Sequence, residues 1–169
     1  MAIAQELLNQ AVYLFGYQGA NPDQAALRRT ISTAYYALFH LLIEDAAQRW
    51  QGSASAIAGI ERTFKHGPMR HISVQFGNPN WKDWRGERHL IPPDLRKVAN
   101  AFVMLQQRRH TADYDNHFRW TATVVDTILT SARSAFQSWL SIRTHPIAGD
   151  YLLAMLLNSR RPYGTAHEG

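Results

Sequence analysis

An all-α fold, an up-and-down bundle of four to six helices, is what this sequence predicts, and three observations carry the prediction. Apolar residues recur at three- and four-residue spacing over long stretches, no segment shows the strict alternation of a half-buried strand, and Gly/Pro pairs punctuate the chain between the periodic stretches. Hydrophobic residues make up 46% of the 169 residues, enough for a single globular domain to bury a core.

The elements follow in order. Residues 2 to 18 read as a first helix, with Ile3, Leu7, Leu8, Ala11, Leu14 and Phe15 at helical spacing. Gly19-Ala20-Asn21-Pro22 ends it, and Asn21 can cap the next helix with Pro22 in the first turn. That second helix, 22 to 50, is the most apolar: Leu27, Ile31, Ala34, Tyr35, Leu38, Leu42 and Ala46 form one stripe. Tyr36, Phe39 and Ile43 extend the apolar surface round the other side, as in the central helix of a bundle. Ser32, Thr33, Ala34 and Ala37 are small enough for close helix approach.

A third helix covers 54 to 65, is broken at His66-Gly67-Pro68, and is followed by a short helix to about residue 75. Residues 77 to 93, with Trp81, Trp84 and mixed charges, read as a long loop. A fourth helix starts at Pro92-Pro93-Asp94 and carries Leu95, Val98, Ala99, Phe102 and Leu105 inward. A fifth, 117 to 143, turns Val124, Val125, Ile128, Ala132, Phe136, Trp139 and Leu140 to the core. His145-Pro146 precedes a last helix, Ile147 to Leu157. The domain thus spans 1–157, and 158–169 is a polar, flexible tail.

Charge and composition narrow the function classes. Residues 62 to 119 hold eleven Lys/Arg against five Asp/Glu and five of the eight histidines, so all of the net charge of +5 lies in the middle third. Fifteen of the eighteen cations are arginine, the better residue for bidentate phosphate contacts. A polyanion is one expected partner; a basic solvated surface is the equal alternative. The absence of cysteine excludes disulfides and thiolate metal sites. The N-terminal stretch lacks the basic start of a signal peptide. The longest nearly apolar run, Ala34 to Ile43, is too short to span a bilayer. A soluble, cytoplasmic protein is expected.

Chemistry concentrates in Arg108-Arg109-His110-Thr111-Ala112-Asp113-Tyr114-Asp115. Arg109 and Asp113 stand at i, i+4, as do His110 and Tyr114, so each pair shares a helix face. An exposed pair of this kind contributes only about 0.2–0.5 kcal/mol, a small return for so many ionisable groups. The functional reading gives Arg109 a phosphate, Asp113 the task of orienting it, and His110 or Tyr114 proton transfer. Lys65, His66, Arg70 and His71 cluster about a turn and can add phosphate contacts. His110, Asp113 and His117 have metal-ligand spacing, but Asp115-Asn116 reads as a helix stop between them, and no metal is expected. His40, on a mostly apolar helix, reads as a core histidine. Tyr35 and Tyr36 read as core or dimer residues with bonded hydroxyls, and Trp81 as a hydrophobic plug.

Three segments carry a resemblance. Leu27-Arg28-Arg29-Thr30-Ile31-Ser32-Thr33-Ala34-Tyr35-Tyr36-Ala37-Leu38-Phe39-His40 resembles the signature helix of HEPN domains. Arg109-His110-Thr111-Ala112-Asp113-Tyr114 resembles the Arg-x-x-Ala-Asp-Tyr motif of one HEPN branch, and Phe64-x-His66-Gly67 fits that branch's middle. The resemblance as a whole covers roughly residues 5 to 143. The resemblance implies a helical bundle that dimerises around a shared groove. It also implies a metal-independent, cofactor-free endoribonuclease, often a toxin paired with a minimal nucleotidyltransferase antitoxin. On it, Arg109, His110, Asp113 and Tyr114 are the catalytic candidates, and Arg108, Lys65, His66 and Arg70 the RNA-binding ones. Tyr114 stands where catalytic relatives keep a histidine. The alternative is therefore a non-catalytic module that binds nucleotide, RNA or a partner protein.

Overall fold

The computed structural model describes residues 2–17, 22–49, 53–83 and 85–159. Within them the chain is all-α, with seven helices and one small hairpin: α1 (Ala2–Tyr17), α2 (Gln24–Arg49), α3 (Ala54–Thr63), α4 (His66–Phe76), β1 (Asn80–Lys82), β2 (Arg88–Leu90), α5 (Pro93–Tyr114), α6 (Ala122–Ile142) and α7 (Pro146–Ser159). The seven helices are those the sequence reading takes in order, and they exceed its bundle count of four to six because the short α4 and α7 stand as separate elements.

α2 is the hub, packing against α1, α3, α5, α6 and α7. Its expected stripe is buried in full: Leu27, Ile31, Ala34, Tyr35, Leu38, Leu42 and Ala46 all lie in the core. A helix surrounded on most sides must be apolar on most sides, which is what its sequence shows. Asp23 caps it, its Oδ1 accepting from the Ala26 amide at 2.7 Å. Asn21 lies outside the described residues.

Several inward assignments are corrected by the packing. Ile3, Val124 and Leu140 are exposed, because α1 meets α2 through Ala4, Leu8 and Ala11, and α6 presents Val125, Ile128, Ala132, Phe136 and Trp139. His66-Gly67-Pro68 is not a break but the first turn of α4. Proline is tolerated there because first-turn amides have no intrahelical acceptor. The fifth periodic stretch begins only at Ala122, after Thr121 caps it by accepting from the Val124 amide at 3.4 Å. Asn158 and Ser159, assigned to the tail, complete α7; Ser159 is buried. Residues 160–169 lie outside the described residues.

The loop expected over 77 to 93 contains the hairpin, paired antiparallel as Asn80↔Leu90, Trp81↔His89 and Lys82↔Arg88. Asp83 organises its turn, accepting from the amides of Arg85 (2.8 Å) and Glu87 (3.0 Å), and Gly86 takes φ 81°, a conformation glycine adopts without steric cost. Trp81 does plug the edge of the core, its ring 4.5 Å from that of Phe76. Trp84 lies outside the described residues.

Three-residue strands are too short for alternation to register, which is why they escaped the sequence pattern. At the far end of the bundle, Asp94 accepts from the hydroxyls of Ser138 (2.9 Å) and Ser141 (3.1 Å), tying the start of α5 to the end of α6. Antiparallel α5 and α6 are held in register there, and the C-terminal turn of α5 is delivered to the N-terminal half of α2.

Candidate phosphate-binding groove at the end of α5

Four polar residues of α2, each four positions after the last, hold the C-terminal end of α5 and the segment after it. Gln24 makes two hydrogen bonds to the Trp120 backbone, Nε2 donating to its carbonyl (2.8 Å) and Oε1 accepting from its amide (2.9 Å). Arg28 donates to the carbonyls of Ala112 (2.6 Å), Asp115 (2.8 Å) and Phe118 (2.7 Å). Ser32 Oγ donates to Asp113 Oδ1 at 2.5 Å, and the Tyr36 hydroxyl accepts from Arg109 Nη2 at 2.8 Å. The last carbonyls of a helix have no intrahelical donor, so a guanidinium there satisfies them and opposes the helix dipole.

This ladder immobilises Arg109. Its Nε lies 2.7 Å from Asp113 Oδ2, its side chain is 18% exposed, and its guanidinium carbon is 5.4 Å from the Tyr36 ring centre and 5.8 Å from that of Tyr114. Burial works against its charge, but Tyr36, Asp113 and Tyr114 outweigh that and raise its pKa. Arg109 is a fixed cation. Asp113, divided between Ser32 and Arg109, positions that cation and has no free oxygen for proton transfer.

Two grooves open beside it. One, about 290 Å³, is lined by Arg70, Gln106, Gln107, Arg109 and His110; the other, about 440 Å³, by His110, Thr111, Tyr114, Asp115, Asn116 and His117. His110 belongs to both. Its exposed ring stands 5.0 Å from that of Tyr114, as their spacing predicts, but tilted at 49° rather than stacked. Tyr114 is 65% exposed.

The structure brings Arg70, from α4, to Arg109 and His110, from α5. Arg108 and Lys65 are exposed and line neither groove. Lys65 instead stands at the N-cap of α4, its backbone amide donating to Ser159 Oγ at 3.4 Å. His71 is exposed and pairs with Gln75 at 3.1 Å.

His66 faces inward rather than out of a basic turn. Its Nδ1 is 2.6 Å from the hydroxyl of fully buried Tyr35, its ring is 4.4 Å from the Phe39 ring, and its carbonyl accepts from Gln106 Nε2 at 2.9 Å. Burial first, then Arg109 and His40, depress its pKa, so the imidazole is neutral at neutral pH. Burial likewise raises the Tyr35 hydroxyl well above the usual tyrosine range; Arg109 opposes this in part and Tyr36 adds to it.

Sequence reading gave Tyr35 and Tyr36 as core or dimer residues with bonded hydroxyls; Tyr35 is fully buried, Tyr36 partly buried, and both hydroxyls are bonded. It gave no role to Gln24 or Arg28, although polar residues at 24, 28, 32 and 36 recur at helical spacing on one face of α2. His40 is only partly buried, its ring edge-on to Phe39 at 5.5 Å, because its position falls where the α2 surface emerges beyond Tyr36.

His66 gives stability a pH dependence with a defined sign. The unfolded chain takes up the proton near pH ~6.5, whereas the folded chain does so only at lower pH. The unfolded state therefore binds more protons in that window, and stability is expected to fall as pH drops through it. Urea unfolding at pH 7.5 and 5.5 should show a smaller difference in His66→Gln than in the wild type; an unchanged difference would remove this role.

Since α5 ends at Tyr114, His117 is not on one helical face with His110 and Asp113, and the structure does not assemble the metal spacing the sequence contains. Among the described residues, Asp83, Glu87 and His89 place ligand-type atoms within 4.8 Å of one another, on the hairpin and not in the Arg109 grooves. There the Asp83 carboxylate is already 3.0 Å from His89 Nε2. No described helix is long and apolar enough to cross a membrane. No family model, curated protein or solved structure matches the chain.

Proposed function

We propose that this protein is a HEPN-type RNA-binding protein and a metal-independent endoribonuclease, acting as a homodimer and serving as the toxin of a pair with a minimal nucleotidyltransferase antitoxin. One observation carries the reading. Arg109 is held by Asp113 and Tyr36 at a groove of about 290 Å³ that it lines together with Arg70 and His110, so two guanidiniums and an imidazole border one space. A cation fixed before the ligand arrives needs no reorganisation when charge develops on it.

In this reading Arg109 and Arg70 hold the non-bridging oxygens of a phosphodiester. His110 accepts the proton of the ribose 2′-hydroxyl. The 2′-oxygen forms its bond to phosphorus as the bond to the 5′-oxygen breaks, and that oxygen takes a proton from water. The products are a 2′,3′-cyclic phosphate and a 5′-hydroxyl. Tyr114 serves as an aromatic wall of the second groove.

The test is incubation with total RNA in the presence of EDTA. Cyclic phosphate ends should form, and Arg109→Ala should reduce them at least about 100-fold, the usual scale for removing a charged transition-state contact. A second reading, a non-catalytic RNA-binding module, is favoured by one feature: the His110 side chain has no hydrogen-bond partner to orient it among the described residues. RNA binding that is lost in Arg109→Ala, without cleavage by the wild type, would select it.

A further inference from the structure

We propose that the second groove, bordered by Tyr114, Asp115 and His117, is a nucleobase subsite that takes an unpaired base bearing an exocyclic amino group. The inference rests on the phosphodiester reading above and adds to it the part of the nucleotide that Arg109 does not hold.

The two grooves share His110 but differ in charge. Arg70 and Arg109 line the first, and no carboxylate does. The second has no lysine or arginine among its lining residues and includes Asp115. A phosphate is drawn to the first and repelled from the second, whereas an uncharged base meets no such repulsion. RNA carries both parts side by side, and unpaired bases are recognised by stacking on aromatic rings and by hydrogen bonds to their edges.

Tyr114 supplies the ring. It is 65% exposed, so it keeps open surface for stacking even with the His110 ring 5.0 Å away. The Arg109 guanidinium carbon is 5.8 Å from its centre, which sets the aromatic surface beside the phosphate cation. Asp115 supplies the acceptor. Its Oδ1 accepts from the amides of His117 (3.0 Å) and Phe118 (3.1 Å), while its Oδ2 has no hydrogen bond among the described residues. A free carboxylate oxygen accepts from an amino group, as aspartate does from cytosine N4, and uracil has no amino group to give.

The segment is also held more firmly than its exposure requires. Residues 114 to 119 are all exposed, yet Arg28 donates to the carbonyls of Asp115 and Phe118, and Gln24 bonds both ends of the Trp120 peptide unit. An exposed connection gains little stability from being fixed. A ligand that stacks on it gains affinity, because the ring and the carboxylate are ordered before it arrives.

The test uses short 2′-O-methyl oligonucleotides, which keep the phosphodiesters but have no reactive hydroxyl. Homopolymers of adenine, cytosine and uracil are compared with an abasic strand of equal length. The wild type should bind the adenine and cytosine strands about tenfold more tightly than the abasic one, the scale of one stacked base, with uracil between. Tyr114→Ala should remove most of that difference and leave the affinity for the abasic strand unchanged. Asp115→Asn keeps an oxygen for the two backbone amides and turns the outer acceptor into a donor, so the preference should move toward uracil, whose carbonyls accept.

Equal wild-type affinity for abasic and base-bearing strands overturns the proposal. So does a Tyr114→Ala that weakens the abasic strand as much as the others, or an Asp115→Asn with unaltered base preference. In each case binding that still depends on Arg109 spares the parent reading. Failure of every strand to bind the wild type removes both.

Discussion

Replacing Trp139 by alanine is expected to lower the free energy of unfolding by about 4–5 kcal/mol, enough to leave a marginally stable domain largely unfolded at 37 °C. Trp139 is fully buried, and its ring lies 6.3 Å from that of Tyr151 on α7. Its Nε1 donates to Asp45 Oδ2 at 2.6 Å, and Asp45 is itself 5% exposed, with Arg143 Nη1 3.5 Å from its other oxygen. Alanine therefore leaves a cavity and also strips a buried carboxylate of its closest donor. Trp139→Phe separates the two effects, keeping most of the packing and losing only the donor. It should cost about 1–3 kcal/mol. Urea unfolding followed by circular dichroism would measure both; if the two substitutions cost the same, cavity formation is not the dominant penalty.

Arg28→Ala is expected to have the largest effect on the groove without touching it. Three carbonyls, of Ala112, Asp115 and Phe118, lose their donor, and the C-terminal turn of α5 loses its opposing charge. Two of these bonds are solvent-exposed and weakly stabilising, so the global cost is about 2 kcal/mol. The local consequence is larger. Asp113 and Arg109 sit on that turn, and their geometry depends on where it is held. Amide hydrogen exchange over residues 112–120 should accelerate well beyond the global destabilisation, and on the proposed RNA-binding reading the affinity for RNA should fall by about tenfold. Arg28→Lys should recover little, since one ammonium cannot span three carbonyls. Unchanged exchange in this segment would show that Gln24 and Ser32 suffice to hold it.

Much of the architecture is legible before any coordinates. Apolar periodicity marks α1, α2, α5 and α6, because a helix packed along its length must repeat its core residues at helical spacing. The i, i+4 relation of Arg109 to Asp113 and of His110 to Tyr114 is equally local: the first pair forms as read, and the second meets with its rings tilted instead of stacked. Short elements were harder. The hairpin, the first turn of α4 and the Asp23 cap depend on single side chains or on two or three residues, too few for periodicity to distinguish them from loop.

By itself, then, the sequence determined the all-α class, the central place of α2, and the clustering of cationic and ionisable groups about residues 62 to 119. Tertiary structure alone decided which of those groups meet. His66 is 31 residues from Tyr35, and Arg28 is 84 from Ala112. No periodic signal connects positions so far apart, since such contacts are set by how helices pack against one another and not by local backbone geometry. That packing made Tyr36 a hydrogen-bond acceptor for a fixed arginine, set the Tyr35 hydroxyl against His66, and turned that histidine inward. It also left Arg108 outside the groove, because at about 100° per residue positions 106, 107, 109 and 110 fall on one side of α5 and position 108 on the other.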